Sequence, residues 1–221
     1  VFAKLIAETR NEIIHKHVSH NMTKLKSLWK KPTEAFESIL SEKINWFKVF
    51  LFFSSNGTIF IYYLAKSKGA IDIESIEGTI GSILGMIFLG IVYGLISNFS
   101  VGFFIKLTGK IFGGKNDLKK IYNALSWSYL PSTFSVYLII VNILIARVLT
   151  TEIESIVAII LALLVGIFSL VQAVLGIWQL ILIYKGLKVA QELNNWKTIL
   201  NYITGAGIFG IIYYYLIFPH L

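Results

Sequence analysis

Metal, acid/base and nucleophile chemistry each leave a residue signature, and the 221-residue chain carries little of any of them. His15, His17 and His20 form the one cluster of potential metal ligands. Their spacing does not bring all three onto one helical face, and no Cys or Asp accompanies them, so a segment near anionic headgroups accounts for them better than a zinc site. The absence of cysteine removes thiolate ligands, a thiol nucleophile and disulfides together. No HExxH, GxSxG or phosphate loop is present, and Gly113-Gly114-Lys115 lacks the rest of a nucleotide motif. The residue pattern therefore predicts no catalytic group, no cofactor and no metal. What remains is neutral amide chemistry: Gln172 and Gln179 lie seven apart, on one face of a helix. They can hydrogen-bond to neighbouring helices or line a polar path.

The elements that carry these groups follow from where charge is missing. All 32 Lys, Arg, Asp and Glu residues fall outside five runs, 49–65, 78–105, 121–146, 155–184 and 198–221. A helix crossing the hydrocarbon core needs about 20 mostly apolar residues. Four of the runs exceed that length and the first, at 17 residues, is at the lower limit. The expected fold is an all-α, polytopic membrane helical bundle of five transmembrane helices, with spans near 47–65, 78–105, 131–149, 155–184 and 198–219. Residues 1–45 form a tail without an uninterrupted hydrophobic signal region, and 46–221 form the membrane domain. No ionisable side chain lies inside a run, which argues against a proton-coupled transporter and an intramembrane acid/base enzyme.

Basic residues in short loops stay on the cytoplasmic side. Assigned alternately, the connections place 17 of the 20 Lys and Arg residues on one side and 3 on the other. The N-terminus is thus expected in the cytoplasm and the C-terminus outside. Net charge +8 is distributed as flanks to apolar runs, which speaks against nucleic acid as a partner. All five tryptophans fall near the expected cytoplasmic ends, and Tyr62, Tyr63 and Tyr213 to Tyr215 near the outer ends, as interface-seeking rings should.

Packing signals lie mainly in the second span. Gly81 with Gly85 and Gly90 with Gly94 form two small-xxx-small pairs pointing to nearly opposite sides, so close neighbours are expected on both flanks. Ser54 to Thr58 make the first span polar at its middle and dependent on its neighbours. Before that span, Pro32, Thr33, Glu34 and Glu37 form a helix start, and Phe36, Ile39, Leu40, Ile44 and Phe47 recur at helical spacing. The predicted amphipathic helix lies on the membrane surface, and Trp29, Pro32, Phe36, Ile39 and Leu40 are its candidate interaction surface. Pro131 cannot supply a backbone donor, so a helix break is expected between an interfacial segment and the third span.

Several of these features together resemble a known family. The string Leu28-Trp29-Lys30-Lys31-Pro32-Thr33-Glu34-Ala35-Phe36-Glu37-Ser38-Ile39, the glycine-bearing second span, Gly113-Gly114, Ser126-Trp127-Ser128-Tyr129-Leu130-Pro131, and Ile177-Trp178 followed by Gly186-Leu187 are similar to the Yip1 domain family over about residues 25 to 218. The resemblance implies five spans and no catalytic residues. Its eukaryotic members are endoplasmic reticulum and Golgi proteins that associate with Rab GTPases. The short basic tail looks like that of the prokaryotic branch, so Rab binding is not carried over and the cell (inner) membrane of a prokaryote is the expected location. The expected role is a non-enzymatic scaffold or accessory subunit, with the lipid bilayer and other membrane proteins, such as a transport complex, or a second copy as partners. The competing reading is a small-solute channel or facilitator with a neutral pathway through Gln172, Gln179, Asn142 and the Ser54 to Thr58 stretch.

Overall fold

The structure, a computed structural model, describes residues 23–151 and 154–216. All regular structure among the described residues is helical: α1 over 23–30, α2 Pro32–Ser41, α3 Trp46–Ser67, α4 Ile76–Ile111, α5 Leu118–Ser128, α6 Leu130–Leu149, α7 Ser155–Gln191 and α8 Asn195–Leu216. Short polar side chains set the starts, as N-caps do when they satisfy orphan N–H groups. Asn45 accepts from Lys48 N, Ser75 from Gly78 N, and Asp117 from both Lys119 N and Lys120 N. At the C-terminal end of α7, Glu192 adopts a left-handed conformation (φ 55°), which stops the helix and turns the chain into α8.

Four segments among the described residues are long and apolar enough to cross a bilayer: Trp46–Ser67, Ile76–Ile111, Leu118–Leu149 and Ser155–Gln191. The sequence leads one to expect five. The last expected span, 198–219, coincides with α8 but runs past the described residues. The third segment is two helices in tandem. Pro131 lies in the first turn of α6, where its missing N–H interrupts no bond, and Tyr129 N still reaches Leu125 O at 3.1 Å before the chain turns. At about 1.5 Å per residue, α4 and α7 run to roughly 54–56 Å, far more than a ~30 Å hydrocarbon core.

That excess length builds the main core. Its buried residues come from α1 and α2 (Leu28, Phe36, Ile39), the start of α3 (Val49, Phe53), the end of α4 (Ile105), α5 (Ile121, Leu125) and the end of α7 (Leu182, Leu187). All of these lie at the end of the bundle that carries most of the lysines, called here the lysine-rich end. A smaller cluster, Tyr62, Met86, Ile139 and Ile143, lies at the opposite end. Between and around them the spans face outward with large apolar side chains, such as Phe88 at 67% and Leu170 at 70% exposure, as lipid-facing helices do.

The amphipathic helix departs from its expected position. The apolar face of α2 does not rest on lipid: Phe36, Ile39 and Leu40 are buried against α5 and α7, and Asn123 Nδ2 donates to Ile39 O at 3.2 Å. The candidate interaction surface is thus largely occupied by the chain itself. Trp29, 51% exposed, stacks flat on Trp178 of α7 with ring centroids 4.8 Å apart, and only it and Pro32 retain exposure. The reason is physical: an apolar helical face buries as readily against a protein groove as against acyl chains, so periodicity alone cannot choose.

Candidate functional site

The strongest polar organisation lies where α3, α4, α6 and α7 meet. Helices α3 and α4 approach with backbone against backbone. A Cβ on Gly57 would collide with the Gly90 carbonyl and the Gly94 backbone, and one on Gly94 with the Phe53 carbonyl and, at 3.0 Å, Gly57 Cα. Such proximity lets short amides bridge the helices. Asn98 Nδ2 donates to Phe53 O (3.2 Å) and to Gly94 O in its own helix (2.8 Å), while Asn56 Nδ2 donates to Asn98 Oδ1 (3.2 Å). From the other side, Gln179 Nε2 donates to Asn56 Oδ1 (3.2 Å), and the Ser132 hydroxyl bridges Asn56 and Gln179. Thr133 Oγ1 adds a bond to Ser55 Oγ at 3.2 Å. In hydrocarbon each of these groups would be costly alone; joined, every span satisfies another's polar atom.

Gln179 thus sits inside a hydrogen-bonded knot. Gln172, two turns away, lines a cavity of about 190 Å³ with Asn56, Tyr63, Ser132, Ser135 and Gln179. Its Oε1 accepts from Tyr63 Oη at 3.4 Å, and its Nε2 is buried with no partner. Further along the same seam, Asn142, Ser169, Tyr62 and Lys66 line a second cavity of about 230 Å³. In the other direction the seam meets Phe52, Phe53, Leu130 and Leu182, all buried in the main core. The polar residues therefore line two separate cavities along the seam, which ends in apolar side chains at the lysine-rich end.

The glycines divide. Gly90 and Gly94 receive α3, but a Cβ on Gly81 or Gly85 would meet nothing within 4 Å. Close packing on α4 comes from α3 at Gly90 and Gly94 and from α8, whose Gly205 lies against the backbone of Ile105, while Gly81 and Gly85 face open space. The histidine cluster lies outside the described residues, among which no group of three His, Cys, Asp or Glu side chains could hold a metal.

Two polar arrangements escaped the sequence reading. Asn98, the sole amide of its charge-free run, is the hub of the α3–α4 contact. At the lysine-rich end, Gln191 and Asn201, both 0% exposed, form an amide clasp: Asn201 Nδ2 donates to Gln191 Oε1, Thr108 Oγ1 to Asn201 Oδ1, and Gln191 Nε2 to Ile105 O at 3.2 Å. The clasp ties α4, α7 and α8, and it packs so closely that a Cβ on Gly109 would strike the Gln191 amide. An amide in or beside a charge-free run was the available signal in both cases.

None of these groups forms a nucleophile–base pair or a metal-binding set; they join helices and shape two small cavities. No match is found among curated proteins or among solved structures. The family model for the Yip1 domain matches residues 26–217, nearly the whole chain, and this multi-pass membrane protein belongs to the Yip1 domain family.

Proposed function

We propose that the protein is a non-enzymatic membrane scaffold or accessory subunit that works by offering helix faces to another membrane protein or to a second copy of itself. The observation that carries this reading is an asymmetry of packing. No residue of α7 between Ser155 and Ile181 is buried, and Gly81, Gly85 and Gly166 face open space, while the lysine-rich end of the same helices is tightly packed. Glycine in a lipid-facing helix lowers helix stability by up to ~1 kcal/mol relative to alanine and offers lipid nothing in return. Against another helix it permits close approach. In this reading α8 is the fifth span, the N-terminus and the lysine-rich end are cytoplasmic, and the membrane is that of a prokaryotic cell. Support comes from the 17 to 3 partition of basic residues and the apolar run that α8 carries.

The test is retrieval from native membranes in mild detergent. Wild-type protein should bring down a defined membrane partner or a second, differently tagged copy, and Gly81→Leu with Gly85→Leu should lose it while unfolding at the wild-type midpoint. Monodisperse single chains from intact membranes would refute the reading. The cavities along the α3, α6 and α7 seam favour a second reading, a facilitator for a neutral solute. Liposome flux abolished by Gln172→Leu and Gln179→Leu would support it, but the apolar plug beside Leu182 argues for a blind recess.

A further inference from the structure

The cavity at the end of the seam away from the lysine-rich core contains unmet polar demands that helix packing does not explain. Asn142 Oδ1 lines that side of α6 and is buried without a donor. Arg147, one residue past Ala146 in the cavity wall, has a buried Nε–H without an acceptor, although its Nη1 donates to Thr150 Oγ1 at 2.7 Å. The Thr150 hydroxyl itself donates to Arg147 O at 2.7 Å and lies 3.5 Å from Ile73 O, in the 68–75 turn whose Ile71 and Ile73 form the opposite wall. Lys66 completes the lining from α3, its ammonium 5.9 Å from the Tyr62 ring centroid. Neither cation takes part in an ion pair among the described residues. The nearby carboxylate of Asp72 is engaged elsewhere: it accepts from Glu74 N at 2.9 Å and lies against Gly78 at the start of α4. Glu74 is exposed to solvent.

Lys66 in the lining, Arg147 one helical turn beyond Ile143 of the wall with an idle buried N–H, and an Asn142 acceptor that lacks a donor describe the complement of a specific chemical group. A buried guanidinium N–H is satisfied best by an oxyanion, which takes charge-assisted bonds from Arg and Lys together. Water can satisfy Asn142, but an oxyanion brings opposite charge together with the acceptor the Nε–H lacks. Asn142 Oδ1 requires a donor on the same ligand, and a hydroxyl supplies one. We propose that this cavity of about 230 Å³ binds a hydroxyl-bearing phosphate, with Lys66 and Arg147 on the phosphate and Asn142 on the hydroxyl. A glycerol-containing phospholipid headgroup and a soluble glycerol phosphate share this chemistry; the cavity's position at the end of the apolar spans favours the lipid.

The full-length chain, purified in a neutral maltoside detergent, should be titrated with phosphatidylglycerol, phosphatidylcholine and glycerol 3-phosphate while its unfolding midpoint and tryptophan emission are followed. Phosphatidylglycerol should raise the midpoint saturably, and phosphatidylcholine, which has the phosphate but neither the net charge nor the hydroxyl, should not. A rise with glycerol 3-phosphate alone would support the same site with a soluble ligand. Lys66→Gln, at an exposed position that folding does not need, should weaken binding by about tenfold, in line with loss of one charged hydrogen bond; Asn142→Leu should remove the preference for the hydroxylated lipid. Equal stabilisation by both lipids, no response to any of the three, or an unchanged phosphatidylglycerol affinity in Lys66→Gln and Asn142→Leu would overturn the proposal.

Discussion

Replacing Gly94 by alanine adds one methyl group to a place where two helix backbones touch. The new Cβ falls 3.0 Å from Gly57 Cα and nearer still to the Phe53 carbonyl oxygen, and both obstacles are backbone that cannot swing aside. Restoring ordinary contact requires α3 and α4 to separate by about 1 Å or somewhat more. The bonds that span this contact, Asn98 Nδ2 to Phe53 O and Asn56 Nδ2 to Asn98 Oδ1, are each 3.2 Å long, so such a shift breaks both. Overpacking of this kind typically costs about 1–3 kcal/mol, and each interhelical bond in a membrane contributes about 0.6–1.5 kcal/mol. The better helix propensity of alanine returns at most ~1 kcal/mol. The expected net destabilisation is thus about 2–4 kcal/mol. It can be measured from tryptophan fluorescence as mixed micelles are titrated with a denaturing detergent. Gly81→Ala and Gly85→Ala, on the same helix with open space at the Cβ position, serve as controls expected to be neutral or slightly stabilising. A Gly94→Ala protein within about 0.5 kcal/mol of wild type, or controls that lose as much as Gly94→Ala, would show that the backbone contact does not hold these helices together.

Other perturbations separate strong from weak links. Asn201→Leu leaves Gln191 Oε1 without its donor in a fully buried site, while the Thr108 hydroxyl keeps Phe104 O at 2.9 Å, and should cost about 1–3 kcal/mol. Combined with Gln191→Leu it should show a coupling above about 0.5 kcal/mol in a double-mutant cycle, because the two amides satisfy each other. Trp29→Ala removes the flat stack on Trp178 and should lower stability by about 1 kcal/mol, with a change in Trp178 emission as its ring gains solvent. Lys115→Ala breaks the 2.6 Å pair with Glu192, but the side chains are 65% and 56% exposed, so the unfolding midpoint should move little.

The sequence makes the membrane character of this chain legible because a charge in hydrocarbon is costly everywhere along a span, and its absence is therefore visible residue by residue. Four of the five charge-free runs lie in the helical segments long enough to cross a bilayer. The partners of these helices are much less legible. Gly81-xxx-Gly85 and Gly90-xxx-Gly94 are the same motif with opposite outcomes: the second receives the backbone of α3 and the first meets nothing within 4 Å among the described residues. A small residue states that a neighbour could come close, and only the tertiary structure says whether one does. The same ambiguity placed α2 on lipid, when its Phe36 in fact fits beside Gly186 of α7. Gln172 and Gln179 share a face by periodicity, yet one is knotted to Ser132 and Asn56 and the other retains an unpaired donor. That difference depends on side chains from α3 and α6 that lie 109 and 47 residues away respectively.

The division of labour along the helices follows from the change of solvent. Apolar burial drives helices together only where the alternative is water. At the lysine-rich end Phe36, Phe53, Ile121, Leu125 and Leu187 form a core like that of a soluble protein, and α4 and α7 are long enough for that end to project beyond the hydrocarbon. Within the bilayer, leucine gains nothing by leaving lipid, so cohesion passes to the contacts lipid cannot imitate: the glycine-to-glycine approach of α3 and α4 and the amide bonds it permits. The exposed face of α7 from Ser155 to Ile181 is consistent with the same rule, since apart from Gln172 and Gln179, which turn to α3 and α6, that stretch holds few groups that require a protein neighbour. Its lipid-facing length can exchange acyl chains for another helix at little cost in desolvation, while the water-facing core keeps the fold intact. Under the proposed scaffold role, a chain built this way separates the part that maintains its own structure from the part available for association. Mutations in the core should therefore unfold the protein, and mutations on the open faces of α4 and α7 should alter only what it binds.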